Sequence, residues 1–133
     1  MTRAARYAYL ALAWAFLVGV VVQVFFIGLA LFAGSSNIEL HVTLGWILHL
    51  APILILGAAA LARAGRTRIL EAAALAAVVF VVPILPSLRD GMPVIAALHP
   101  VFALASFWLA VVVARSASAF ASEARSEGEL AAA

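Results

Sequence analysis

Residues 7–33 read YAYLALAWAFLVGVVVQVFFIGLALFA, a segment with no charged side chain and one strongly polar residue in its middle, Gln23. One bilayer crossing needs about 20 mostly apolar residues, so this stretch spells a membrane span. Its apolar run exceeds the roughly 7–15-residue core of a secretory signal, and no A-x-A-like site with a polar mature segment follows, so the reading is a retained helix. Three further windows have the same character, at about 41–62, 69–88 and 94–115. None alternates polar and apolar residues as a membrane strand would. In a bilayer every backbone N–H and C=O must be paired within the protein, which leaves the helix as the spanning structure.

The whole composition agrees. Of 133 residues, 68% are hydrophobic and 11% charged, with a mean hydropathy of +1.20. Soluble domains sit near about 45–50% apolar and about 25% charged. The expected fold class is all-α: an integral membrane, up-down-up-down four-helix bundle over residues 1–118, with a tail over 119–133 that continues the last helix for a turn or two and then frays. There is no cysteine, which excludes disulfides, thiolate catalysis and thiolate metal ligation. The pI near 9.9 suits nucleic acid less than it suits topology, because the arginines cluster at helix ends. Arg3, Arg6, Arg63, Arg66, Arg68, Arg115 and Arg125 fall at the termini or in the link between spans two and three, while Arg89 stands alone at the other end. Basic residues mark the cytoplasmic side. The expected location is therefore a bacterial cytoplasmic membrane with both termini inside, in contact with lipid and not with nucleic acid.

Turn signals and prolines punctuate the bundle. Gly34-Ser35-Ser36-Asn37 separates the first two spans, and Ser36 or Asn37 is expected to cap the second. Pro52 lies inside span two. Pro83 and Pro86 predict an irregular far end to span three. Pro100 directly follows His99, and proline favours the first helical position. The fourth helix then has two possible starts, Val94 or Pro100.

Those starts decide the geometry of two histidines. His41 and His99 each follow leucine at the opening of an apolar segment, in Glu39-Leu40-His41 and Ala97-Leu98-His99. A start near Pro100 places both at one depth on like-directed helices. A start at Val94 sinks His99 about 7–8 Å deeper, nearer the level of His49. Two hairpins that each open their second helix with Leu-His suggest a parallel repeat, which would set the two histidines across the bundle from each other. Ionisable side chains are expensive inside a bilayer and mark functional sites there. Two readings stand: interfacial caps bonded to headgroups or loop carbonyls, or axial ligands of haem iron. Under the second, His41 and His99 clamp a b-type haem. Gly45, four residues after His41, leaves room for the flat macrocycle or a close helix; Gly28, Ala30, Ala103 and Ala105 do likewise. Trp46, Phe102, Phe107 and Trp108 wall the site, and Arg89 meets a propionate. His49 serves as a second ligand, a relay or a packing residue bonded to a neighbouring carbonyl. The three histidines also suit Zn²⁺ or Cu²⁺.

The remaining polar residues read as structural. Gln23 is expected to bond across helices, Glu71 to be an exposed first-turn carboxylate favoured by the helix dipole, and Glu39 to cap span two. No nucleotide loop, nucleophile elbow, carboxylate pair or zincin motif occurs, so the expectation is a non-enzymatic protein.

Three stretches together, VQVFFIGLALF at 22–32, LHVTLGW at 40–46 and ALHPV at 97–101, resemble a family of small four-helix bacterial membrane proteins of unknown function, the DUF6220 type, over about Gln23 to Trp108. The resemblance implies fold and membrane location and no established activity. Where that family often has asparagine after His-Pro-Val, this chain has Phe102. Histidines on membrane helices are also similar to the small b-type cytochromes. The leading expectation is haem-b binding for electron transfer or redox sensing. The alternatives are an accessory subunit packed on a larger membrane complex, a homo-oligomer, or a metal or small-solute permease.

Overall fold

The computed structural model describes residues 2–130, with side chains over 3–123. Two long helices, α1 (Thr2–Ala33) and α2 (Ile38–Leu61), form a first hairpin joined by a 3₁₀ turn at Ser35–Asn37. The second comprises α3 (Arg66–Val81), the single turns α4 (Ile84–Ser87) and α5 (Pro93–Ala96), and α6 (His99–Leu130). Four stretches, Arg3–Ala33, Ser35–Leu61, Arg66–Ser87 and Pro93–Glu123, are long and apolar enough to cross a membrane. The helices close a ring in the order α1, α2, α3, α6, leaving α2 and α6 on a diagonal.

Packing is uneven along the bundle. On α1 the buried residues are Tyr9, Ala13, Phe16 and Val20, spaced four, three and four apart, and all lie toward the termini. They meet Ile55, Ala58 and Ala59 of α2 and Ala62 just beyond it, Ala72, Leu75 and Val79 of α3, and Ala110, Val113, Ala114, Ala117 and Phe120 of α6. Alanine dominates because helices in lipid gain by close van der Waals approach, which small residues permit. Trp14 Nε1 donates to Ser118 Oγ at 3.0 Å and ties α1 to α6. By contrast, no residue from 21 to 51 is fully buried. The first hairpin is therefore loosely packed in the half of the bundle away from the termini.

Several boundaries differ from those read in sequence. His41 lies in the first turn of α2, whose start is Ile38. Asn37 holds the cap position, but its Nδ2 donates back to Gly34 O at 3.1 Å and caps nothing; Gly34, at φ 129°, makes the turn that allows this. Glu71 is not a first-turn residue, because α3 begins at Arg66. The far end of α3 breaks at Pro83, as its prolines imply, and α6 begins at His99 with Pro100 second. The last helix runs on to Leu130, well past Ser116.

A candidate site at the paired histidines

The start of α6 brings His99 level with His41 across the bundle diagonal. Their ring centres are 6.3 Å apart with the planes inclined at 72°. Each ring is fixed from behind. His41 Nδ1 bonds Gln23 O on α1 at 3.0 Å, and Gln23 Nε2 returns a bond to His41 O at 2.6 Å. This reciprocal clasp joins α1 to α2 at the level of the site. His99 Nδ1 bonds Val82 O at 2.9 Å. His49, about 12 Å deeper along α2 than His41, bonds Val79 O at 3.3 Å. It stands beside Trp46, with ring centres 5.8 Å apart, and Phe80, at 5.4 Å.

Two of those carbonyls are available for a reason written in the sequence. Proline has no N–H, so in a helix it leaves the carbonyl four residues earlier without its partner. Pro83 releases Val79 O and Pro86 releases Val82 O. The histidines of α2 and α6 take up these two carbonyls. The prolines were legible as helix breakers; their pairing with particular histidines was not, because it depends on how α3 faces its neighbours.

The chemistry follows from the acceptors. A carbonyl oxygen only accepts, so the Nδ1 bonded to it carries the proton and Nε2 keeps its lone pair. All three histidines are thus held as Nε2 donors to an electrophile, the arrangement in which metal-bound histidines are usually supported. Among the described residues, no group of three or more His, Cys, Asp or Glu side chains comes together. The site therefore offers two side-chain ligands.

The other residues named in the sequence fall variously. A Cβ at Gly45 would lie 2.8 Å from Gln23 Nε2, so the glycine makes room for that amide. Around Gly28 nothing lies within 4 Å of such a Cβ. Arg89 forms an exposed pair with Asp90 at 3.6 Å, on the turn between α4 and α5. Trp46 and Trp108 are more than half exposed, so both face outward from the bundle. Gln23, read in the sequence as structural glue, is also the residue that clasps His41, and its Oε1 is buried without a partner.

Four helices this long and this apolar define a multi-pass helical membrane protein. Residues 23–87 match the model of a family of unknown function (DUF6220), and over that segment the chain is similar to it. The match takes in Gln23, His41, Gly45 and His49 and stops short of Arg89 and His99. No curated protein and no solved structure matches the chain.

Proposed function

We propose that the histidine pair binds one haem b, with His41 and His99 as axial ligands, in a bacterial cytoplasmic-membrane protein that carries or senses single electrons. The observation that carries this reading is the pair itself: two rings on diagonal helices, each with Nδ1 spent on a backbone carbonyl. Two imidazoles sharing one metal at about 2 Å per bond hold their ring centres roughly 6 Å apart, close to the 6.3 Å found. Bound zinc takes four ligands in structural sites and three protein ligands in catalytic ones. Haem iron has four equatorial positions filled by the macrocycle and asks the protein for the two axial ones. A site with two side-chain donors suits the second. The donor set fits the group, and the loose packing of residues 21–51 suits admission of a flat ring between helices.

When bound, haem supplies reversible one-electron chemistry at its iron. The protein's part is positional. Gln23 holds α1 against α2 so that the His41 ring keeps its angle, and Val82 O holds His99. Both bonds fix the tautomer and the ring orientation, leaving the opposing nitrogen free to bind. Arg89, engaged with Asp90, is a propionate partner only if that exposed pair opens.

Orientation rests on the arginines. Arg3, Arg6, Arg63, Arg66, Arg68 and Arg115 lie at the end bearing the termini, which makes that end cytoplasmic by the excess of positive charge. Because the chain has no cysteine, single cysteines at Ser36 and Thr67 can report it directly. A membrane-impermeant maleimide applied to intact cells is expected to label the first and not the second.

The haem reading is tested by an absorption spectrum of the protein purified in mild detergent after expression with haem supply. A low-spin Soret band is expected, lost in both His41→Ala and His99→Ala and kept in His49→Ala. No Soret band in the folded wild type sinks the proposal. Co-purification of a membrane partner without any cofactor would favour the accessory-subunit alternative.

A further inference from the structure

Tyr9 of α1 and Glu71 of α3 stand in the close-packed half, remote from the histidines in sequence and function. Tyr9 is 0% exposed. Among the described residues its hydroxyl has no hydrogen-bond partner, and Glu71 Oε2 is likewise buried and unpartnered. Glu71 and Arg68 are the charged groups that bear on the Tyr9 hydroxyl. Arg68, one turn before Glu71, is committed elsewhere. Its Nη2 bonds Glu123 Oε1 at 2.6 Å, its Nη1 donates to Ala64 O at 3.3 Å, and its guanidinium lies 4.6 Å from the Phe120 ring centre. Arg6 lies over the same ring at 4.2 Å. The facing part of α2 offers nothing polar, since residues 50–62 are apolar throughout.

Buried polar atoms in native proteins are paired, and where protein groups do not reach, an ordered water does so. We infer that Tyr9 and Glu71 form an internal water-binding site, with one or two water molecules held between the phenol and the carboxylate. The chemistry is complementary: a water donates one hydrogen to Glu71 Oε2 and accepts the Tyr9 O–H or donates to it. Arg68 also lines a cleft of about 340 Å³ with Ala64, Gly65, Arg66, Thr67 and Ser116, where α3 begins. The site is independent of any cofactor at the histidines.

Hydroxyl-radical footprinting by X-ray radiolysis tests it on the full chain in detergent, because radicals formed from a bound water oxidise buried side chains beside it. Tyr7, which is exposed, is the internal reference. Tyr9 is expected to be oxidised at a rate within a few-fold of Tyr7 despite its burial. Glu71→Leu is expected to reduce Tyr9 labelling several-fold and leave Tyr7 unchanged. If circular dichroism shows that variant unfolded, Glu71→Met, closer in length, takes its place. A wild type in which Tyr7 is labelled and Tyr9 is not overturns the inference, as does Tyr9 labelling that survives loss of the carboxylate.

Discussion

The two halves of this bundle are built on opposite principles. Toward the termini, alanines and a few large side chains close the four helices around Tyr9, Ile55, Leu75 and Val113, each with essentially no exposed surface. Toward the far end, no residue of 21–51 is fully buried, and the helices are tied by hydrogen bonds to Gln23 O, His41 O, Val79 O and Val82 O. One half is held by packing and the other by polar clasps. The difference teaches where adaptability lies. A packed half resists a guest, because displacing interdigitated side chains forfeits many small contacts at once. A clasped half can open between its bonds without losing them.

The comparison breaks most readily in the packed half. Leu75→Ala empties a fully buried position and is expected to cost about 2–5 kcal/mol, read as a fall in the midpoint of thermal or denaturant unfolding in detergent. Leu44→Ala, in the clasped half and only partly buried, is the comparison and should move that midpoint far less. Equal losses at both positions would erase the distinction between the halves.

A smaller effect is expected from the clasps. Gly45→Ala places a Cβ 2.8 Å from Gln23 Nε2 and should displace the bond to His41 O, a loss of about 1 kcal/mol or less for an interhelical hydrogen bond in a membrane. In a Gln23→Ala background the same change should be nearly neutral, since the two residues share one interaction. Additive losses would show that Gly45 acts otherwise.

Pro86→Ala sharpens the argument with little change in stability. The restored N–H at position 86 competes for Val82 O, so His99 loses sole claim to that carbonyl. The expected readout is a His99 Nδ1–H that exchanges faster with solvent in ¹⁵N-histidine NMR, while the His41 signal stays put. Unchanged His99 exchange would mean that the proline does not set this contact.

Smallest is Arg89→Ala. Arg89 and Asp90 are an exposed pair, and such pairs contribute little to stability. No shift in unfolding midpoint is expected.

Much of this was readable from residues alone. The length and apolarity of residues 7–33 force a membrane helix. Pro83 and Pro86 announce an irregular end to α3, and Pro100 marks where α6 can begin. His41 and His99 stand out because histidine is costly among alanine, leucine and valine. Other features escaped. Glu71 read as an exposed first-turn carboxylate, but α3 starts at Arg66, and its Oε2 is buried. Asn37 has a capping residue's identity and spends its amide on Gly34 instead. Each of these depends on the rotation of a helix about its own axis. Periodicity resolves that poorly here, because every face of these helices is apolar.

The sequence by itself determined that the chain crosses a membrane as helices, how many times, and which few polar atoms it carries inside, because the bilayer tolerates no other backbone and few charges. Only the tertiary structure decided which of those atoms meet. Placing α2 and α6 on a diagonal set His41 against His99. The way α3 faces its neighbours handed two proline-freed carbonyls to two histidines, and the same packing left Tyr9 and Glu71 facing a need for water. Those meetings depend on helix rotation and register, which are fixed by contacts among residues far apart in the chain.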